Sequence, residues 1–242
     1  TCFSTPFDES SVDLLEDLNA PAYKVASFEA VDLPLLSYIA ATKKPMVIST
    51  GLANLEEIEE AVDTVLSGGC EQLVLLHCLS SYPAPVEQMN LLTIPDLRKK
   101  FGTLVGLSDH TVDNVAAIAA VALGAVMVEK HFTLDRSDKG PDSDFSIMPS
   151  ELDSLCSQAR ATWLSLGSAG YDRKPAEESN IRFRRSIYFV RDLEKGDVIT
   201  SDCIRRIRPG YGLAPKFEKE LIGRRVNQAV ARGMPACWDV ID

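Results

Sequence analysis

The chain has 242 residues, of which 45% are hydrophobic and 25% are charged, and its formal net charge is −10 at pH 7. This composition is typical of a globular protein and argues against a disordered or low-complexity chain. The sequence shows neither a run of about 18 apolar residues nor a signal-peptide pattern, so we expect a cytoplasmic protein with no membrane partner.

The charge is unevenly distributed along the chain. Residues 1–170 contain 10 Lys and Arg against 24 Asp and Glu, whereas residues 171–242 contain 15 against 11. The positive excess of residues 171–242 is too small to indicate a nucleic-acid-binding surface, so we expect no nucleic-acid partner. Docking of the basic segment on an acidic neighbour, such as another subunit, explains the pattern as well.

The cysteines form neither a C-x-x-C pair nor a regular framework, which argues against a zinc knuckle or a disulfide scaffold. We therefore predict free thiols that are mostly buried. The six cysteines are Cys2, Cys70, Cys78, Cys156, Cys203 and Cys237.

The first two thirds of the chain repeat one pattern, in which a short apolar strand is followed by a polar turn and an amphipathic helix. The strands recur every 20 to 30 residues or so, as βα units require. The predicted strands are residues 2–5, 23–27, 46–50, 73–78, 104–107 and 125–130.

Two of the helices carry clear start signals. Asn54 or a neighbour caps a helix from residue 55, with apolar residues recurring along one face up to Val65. Asp113 or Asn114 opens a second helix over residues 115–123, whose near-continuous Ala, Val and Ile content predicts burial on most sides.

A parallel βα repeat forms either a doubly wound sheet or a closed (βα)8 TIM barrel. Polar residues follow nearly every predicted strand, which favours the barrel, because an open sheet concentrates its site at one switch point. Six strands are too few to close a barrel. We therefore expect an incomplete TIM barrel over residues 1–167, with two N-terminal βα units missing from this sequence.

The sequence changes character after this region. Residues 168–183 are polar and are predicted to form a linker. Residues 184–242 contain short β-prone segments at 186–190, 198–199 and 204–207, punctuated by Gly and Pro. This pattern predicts a small, turn-rich β domain, near the lower size limit for independent stability.

His110 and His131 each follow an apolar strand, so both imidazoles are predicted to project from carboxyl ends of neighbouring strands, where such folds place their chemistry. With Asp109, Glu129 and Lys130 beside them, they suit a divalent metal that polarises an oxygen of a small anionic substrate. The alternative is that each is a core histidine satisfied by a backbone carbonyl.

Several motifs together resemble the sialic acid synthase family in order and spacing. They are KVASFE at 24–29, ISTG at 48–51, CLSSYP at 78–83, GLSDHT at 106–111, EKHF at 129–132 and GPD at 140–142. The tail motifs DLEKGD at 192–197 and RPGYG at 208–212 resemble the antifreeze-like (SAF) domain of those enzymes. Within the family, the segments at 27–29, 80–82, 144–146 and 212–217 are most similar to the pseudaminic acid synthase branch.

The resemblance implies an enzyme that condenses phosphoenolpyruvate with an N-acetylated amino sugar in its open aldehyde form. The products are phosphate and a nine-carbon 2-keto acid. For the pseudaminic branch the sugar is 2,4-diacetamido-2,4,6-trideoxy-L-altrose. N-acetylneuraminate or legionaminate synthesis is an alternative, and so is a catalytically silent fragment that binds a sugar.

The resemblance also implies roles for individual residues. His110 and His131 are implied ligands of Mn²⁺, Mg²⁺ or Co²⁺, and Arg208 is implied to reach from the tail of one subunit into the barrel of its partner in a domain-swapped homodimer. Phosphoenolpyruvate is implied to contact Lys24, Ser27, Ser49 and Ser108. The implied catalytic residues are Glu29, Tyr82 and Asp142, and the implied sugar contacts are Ser80, Tyr82, Asp142 and Arg208.

Chemistry independent of the resemblance agrees with some of these roles. Phosphoenolpyruvate is a polyanion, so an acidic protein needs the positive charge of Lys24 and a cation to bind it. Ser49 and Thr50 could instead only satisfy backbone groups at a strand end. We predict that His77 is structural and that Asp109 orients a metal ligand.

Overall fold

The computed structural model describes all 242 residues, which form two compact units, Thr1–Ser168 and Ala169–Asp242. The first unit contains a parallel sheet with helices between its strands, and the second is a small β-rich fold. In chain order the elements of the first unit are α1 (Glu9–Asp17), β1 (Tyr23–Val25), α2 (Leu33–Ala40), β2 (Met46–Ser49), α3 (Leu55–Ser67), β3 (Leu73–Cys78), α4 (Thr93–Phe101), β4 (Leu104–Asp109), α5 (Val115–Ala122), β5 (Val128–Lys130) and α6 (Pro149–Leu166).

The sheet of the first unit has five strands in the order β1-β2-β3-β4-β5, and every neighbouring pair is parallel. Strand order therefore follows chain order without the reversal that defines a doubly wound sheet. This curled sheet is part of a TIM barrel, which confirms the predicted α/β fold class.

The two faces of the sheet have different roles because side chains alternate along each strand. Met46 and Ile48 of β2, like Val105 and Leu107 of β4, lie in the core between the sheet and its helices. The side chains between them face the barrel interior. Toward the carboxyl ends of the strands the interior side chains become polar, and there the strands open into a cavity.

The helices begin where the sequence indicates. Asn54 caps α3 through a capping box, in which its side chain accepts from the Glu57 N–H and the Glu57 carboxylate accepts from the Asn54 N–H. The Asp113 carboxylate accepts from the Val115 N–H at the start of α5, whereas Asn114 makes no capping bond. Asp113 is thus the residue that opens this helix.

Three sequence expectations differ from the structure. Residues 2–5 do not form a full strand, because only Ser4 bridges to Tyr23. The strand predicted at 125–130 is shorter and begins at Val128. All six cysteines are free, but only Cys70, Cys78 and Cys203 are buried, so the expectation of mostly buried thiols was wrong for half of them.

The second unit is built around a two-stranded antiparallel sheet and several isolated bridges. Its core contains the fully buried side chains of Ile187, Phe189 and Val226. The Ser186 hydroxyl donates to the Pro209 carbonyl and accepts from the Gly212 N–H, which fixes the loop after the second strand. The helices and strands of the second unit are α7 (Pro175–Glu178), β6 (Ser186–Phe189), β7 (Ile204–Ile207) and α8 (Glu218–Leu221).

The segment predicted as a linker, residues 168–183, includes α7 and a 3-10 turn at Ile181–Phe183. Every helix of the protein is too short or too polar to span a bilayer.

Candidate active site

A cavity of about 330 Å³ lies at the carboxyl ends of the parallel strands. Its position is that of the active site in TIM-barrel enzymes. Most of the predicted site residues meet here, although they are spread over more than 100 positions of the sequence. The lining includes Thr5, Lys24, Ala26, Ser27, Ser49, Tyr82, Ser108, His110, Glu129 and His131.

A buried ammonium occupies one side of the cavity. Lys24 Nζ donates to Ser49 Oγ at 2.7 Å and to the Val25 carbonyl at 2.7 Å. Glu129 Oε1 lies 3.7 Å from Lys24 Nζ and also accepts from Ser108 Oγ at 2.7 Å. Burial lowers the pKa of Lys24, and the charge of Glu129 offsets this in part.

Ser27 lies beside the backbone of the next strand end. Its hydroxyl accepts from the Gly51 N–H at 3.2 Å. A Cβ at position 51 would collide with Ser27 Oγ and Ser80 Oγ, so this close approach requires glycine. Gly51 therefore keeps two of the predicted serines next to each other.

His110 is buried at the end of β4, and its Nδ1 contacts the Leu79 carbonyl at 3.1 Å and Cys78 Sγ at 3.8 Å. Burial alone would lower the pKa of His110, but its interactions with Cys78, with the Leu79 carbonyl and with Asp109 outweigh burial and raise it. Burial alone would likewise raise the pKa of the Cys78 thiol, but hydrogen bonds from His110 and nearby serines lower it.

His131 follows β5, and its Nδ1 lies 3.4 Å from Asp142 Oδ2. Burial and the proximity of His110 lower the pKa of His131, although Asp142 opposes this effect. The centroids of the two imidazole rings are 5.2 Å apart. Both predicted metal ligands therefore lie side by side, on neighbouring strands.

The two imidazoles fit a divalent cation as a pair. Each engages a neighbour through Nδ1, which leaves Nε2 as the nitrogen for a metal. No group of three or more His, Cys, Asp or Glu side chains has metal-binding geometry. A bound ion would therefore take its remaining ligands from water or substrate oxygens, as an ion that activates a substrate does.

Aromatic rings form the wall next to the histidines. The Tyr82 ring centroid lies 4.3 Å from that of His110 and 5.5 Å from that of Phe145. Phe145 is also 5.0 Å from the His131 ring. Tyr82 is 44% exposed, so one side of its ring remains open to a ligand.

Other predicted site residues lie at or beyond the edge of the cavity. Glu29 ends the 3-10 turn Ser27–Glu29 and is not part of the lining, and its Oε2 is buried without a hydrogen-bond partner. Ser80 approaches Cys78, with 3.6 Å between Oγ and Sγ. Arg208 belongs to the second unit, where it is exposed after β7. Its predicted reach into a partner's barrel stays a prediction.

The direct contact between Asp109 and a metal ligand that the sequence led us to expect does not form. The Asp109 carboxylate contacts neither histidine and instead pairs with Lys130 and accepts from the N–H and hydroxyl of Thr111. Strand alternation explains this result, because Asp109 and His110 are consecutive and face opposite sides of the sheet. His77 is half-buried and its Nε2 lies 2.6 Å from the Met89 carbonyl, as the predicted structural role requires.

The structure gives three residues of the site contacts that the sequence did not predict. Cys78 contacts His110, Phe145 packs on His131, and Glu129 pairs with Lys24. Alternation along β3 and β5 is the signal that could have found Cys78 and Glu129. The position of Phe145 depends on a long loop, whose path the sequence pattern does not specify.

Comparison with known proteins is consistent across sequence and structure. The NeuB family model matches residues 1–171, and the SAF domain model matches residues 184–241. A pseudaminic acid synthase of Helicobacter pylori is 38% identical over 241 residues, covering 99% of this chain and 71% of that protein. An N,N'-diacetyllegionaminic acid synthase of Legionella pneumophila is 39% identical over 246 residues, covering 99% and 68%.

Among solved structures, a spore coat polysaccharide biosynthesis protein of Bacillus subtilis is 35% identical with a TM-score of 0.66, covering 99% of this chain and 73% of that one. A protein from Chromobacterium violaceum described in similar terms has a TM-score of 0.73 at 29% identity and the same coverage. The chain therefore belongs to the NeuB family and carries a SAF domain after its barrel unit.

Proposed function

We propose that this protein condenses phosphoenolpyruvate with 2,4-diacetamido-2,4,6-trideoxy-L-altrose, releasing phosphate and forming pseudaminic acid. One observation carries the proposal, namely that a buried ammonium, several hydroxyls and two adjacent imidazoles line a single cavity. A cation beside hydroxyl donors suits a phosphorylated carboxylic acid. Paired imidazoles suit a divalent ion that binds a carbonyl oxygen.

Lys24 and its hydroxyl neighbours would bind the anionic substrate. Lys24 Nζ contacts Ser49 and Glu129. Glu129 on β5 accepts in turn from Ser108 on the neighbouring strand β4. Glu129 is partly exposed and 3.7 Å from Lys24 Nζ, so it neutralises the ammonium only in part. A phosphate or carboxylate group of the substrate would pair with Lys24 in its place and neutralise the charge more completely. Binding would thus complete an ion pair that the free protein leaves weak.

The sugar aldehyde would lie between this anion site and the two histidines. A divalent ion held by His110 and His131 would polarise its oxygen and stabilise the negative charge that develops there. Asp142 orients His131 through Nδ1, and Tyr82 offers its exposed ring face beside both imidazoles. These residues would align the aldehyde carbon with C3 of phosphoenolpyruvate.

Water must then add to C2 before phosphate leaves the tetrahedral intermediate. Glu29 is the candidate to hold this water, because its buried Oε2 has no hydrogen-bond partner in the protein. A carboxylate in this position can accept a proton from the water as it attacks. Replacing Glu29 with Gln tests this role, since the change keeps the shape and removes the base.

The choice of sugar rests on motif similarity and on three pseudaminic acid synthases that are 38–39% identical. N,N'-diacetyllegionaminic acid synthases are 39–40% identical and support a second candidate, the stereoisomeric sugar that those enzymes would use. Both sugars would present two acetamido groups and a methyl group.

Phosphate release with each sugar at equal concentration tests the proposal. We expect the highest kcat/KM with the altro sugar, a lower value with the legionaminate precursor and the lowest with N-acetylmannosamine. A higher value with another sugar would assign the protein to that branch. Absence of turnover with all three, in protein that binds phosphoenolpyruvate, would support the catalytically silent alternative.

We further propose that the protein works as a domain-swapped homodimer in which Arg208 reaches a partner's cavity. The charge asymmetry between the acidic first unit and the basic second unit supports this arrangement. Arg208 has an exposed side chain just before the Pro209–Gly210 turn. Its guanidinium is therefore accessible for hydrogen bonds to a polar sugar.

A further inference from the structure

A buried ion pair joins the ends of β4 and β5. Lys130 Nζ lies 2.9 Å from Asp109 Oδ2, and the side chains of Lys130 and Asp109 are 3% and 0% exposed. Asp109 and Lys130 are register partners in the two parallel strands. It is the most buried ion pair in the molecule.

The ammonium of Lys130 is fully used within the protein. Besides Asp109, it donates to the backbone carbonyls of Thr111 at 2.8 Å and Asp113 at 2.9 Å. Asp109 Oδ1 in turn accepts from the N–H and hydroxyl of Thr111. Lys130 on β5 thereby holds the end of β4 and the turn that leads into α5.

The charges of the pair lie away from the cavity, although Lys130 itself contributes to the cavity lining. Val128, two residues before Lys130, packs against the buried cluster of α5 and α6, and strand alternation places Lys130 on that same helix side. The register pair just before it, Ser108 and Glu129, lines the cavity. Both charges are buried and already satisfied within the protein, so the pair is not a contact for substrate.

The position of the pair relative to the histidines is its distinguishing feature. Asp109 directly precedes His110, and Lys130 directly precedes His131. A link between the two residues sets the spacing of the two backbones from which the imidazoles project. A divalent ion requires this spacing, since metal–nitrogen distances near 2.0–2.1 Å leave little tolerance.

We propose that Asp109 and Lys130 are positioning residues that hold His110 and His131 at the separation needed for a divalent cation. This inference rests on the proposed function, in which the two histidines bind that cation. A buried ion pair is a poor source of net stability, because desolvation offsets much of its attraction. Positioning of the neighbouring ligands gives the pair a role that apolar residues could not fill.

Metal binding without substrates tests the proposal directly. Mn²⁺ affinity is measured by electron paramagnetic resonance, and the visible spectrum of Co²⁺-loaded protein reports the geometry around the ion. The variants are Asp109→Asn, Lys130→Met and the double variant, with His131→Ala as the reference for loss of the site. The double variant removes both charges, so it avoids an unpaired buried charge and keeps a folded protein available for measurement.

Lys44→Met is the matched control. Lys44 Nζ forms a partly buried ion pair with Glu16 Oε1 at 2.6 Å, just before β2 and thus at the opposite end of the sheet from the cavity. Its loss should lower the melting temperature without changing Mn²⁺ affinity or the Co²⁺ spectrum. The control separates loss of positioning from general destabilisation.

We expect the Asp109 and Lys130 variants to bind Mn²⁺ at least about tenfold more weakly than the parent and to alter the Co²⁺ spectrum. The double variant should regain melting temperature relative to either single variant without regaining affinity. Parent-like affinity and spectrum in the folded double variant would refute positioning, as would failure of all three variants to fold. Failure of the parent itself to bind Mn²⁺ or to turn over would instead count against the proposed function.

Discussion

Lys24 and Glu129 form an ion pair across the cavity, and the two partners differ in their access to water. The Lys24 side chain is 9% exposed, whereas that of Glu129 is 41% exposed, with 3.7 Å between Nζ and Oε1. Burial therefore outweighs the pairing and lowers the pKa of Lys24. The fold places a destabilising ammonium where the proposed reaction needs a positive charge.

Lys24→Met should separate activity from stability. We expect kcat/KM for phosphoenolpyruvate to fall by about 10²–10³-fold, because a charge-assisted contact is lost. The free energy of unfolding at pH 7 should stay constant or rise by up to about 1 kcal/mol, because a buried charge is removed. Steady-state kinetics and urea denaturation measure the two effects, and a clear loss of stability would contradict the burial argument.

The same variant should show a defined pH dependence. The pKa of Lys24 in the folded protein lies below its ordinary value of 10.5, so the folded state resists protonation more than the unfolded state. The resulting penalty is fully present below the lowered pKa, shrinks as pH rises from there toward 10.5, and is absent above 10.5. Any stability gain of Lys24→Met should therefore disappear in strongly alkaline buffer.

The sequence predicted β3 to the residue and the start of α3, because an apolar run and a capping box are local signals. It failed at residues 2–5, where strand formation depends on pairing and only Ser4 has a partner. The two histidines were predictable from strand ends. Contacts between different loops, such as that of Phe145 with His131, could not be predicted because they depend on tertiary packing.

His77 should make the protein more sensitive to acid. Burial lowers its pKa below the ordinary value of 6.5, with the Met89 carbonyl opposing the effect. The stability that depends on neutral His77 is present above pH 6.5 and is lost as pH falls toward the lowered pKa. We therefore expect the unfolding free energy of His77→Gln to fall less steeply between pH 6.5 and 5, by up to about 1.4 kcal/mol per pH unit.

Denaturant titrations at several pH values measure this difference. His77→Gln can retain a hydrogen bond to the Met89 carbonyl, so its stability at pH 8 should be close to that of the parent. Parallel pH profiles for the parent and the variant would show that His77 does not titrate differently in the folded state.

Gly51→Ala should damage the site through steric conflict alone. The new methyl group would collide with Ser27 Oγ and Ser80 Oγ, so the two serines or the strand end must move. We expect a loss of about 1–3 kcal/mol in stability and a higher KM for phosphoenolpyruvate. Gly170→Ala is the control, because no atom lies within 4 Å of a Cβ at that position. Equal kinetics for the two variants would mean that the site tolerates the methyl group.

Arg208→Ala should raise KM for the sugar more than KM for phosphoenolpyruvate if the arginine contacts the sugar in a partner's cavity. Arg205→Ala is the matched control, since Arg205 is also exposed on β7 and has no predicted role in the site.

The domain-swapped dimer also predicts that two impaired variants can complement each other. Mixing Arg208→Ala with His131→Ala should restore activity, because a hybrid dimer would hold one cavity with both intact residues. If subunits exchange, as a fluorescence energy-transfer assay can verify, and activity still does not return, Arg208 does not act across the subunit interface.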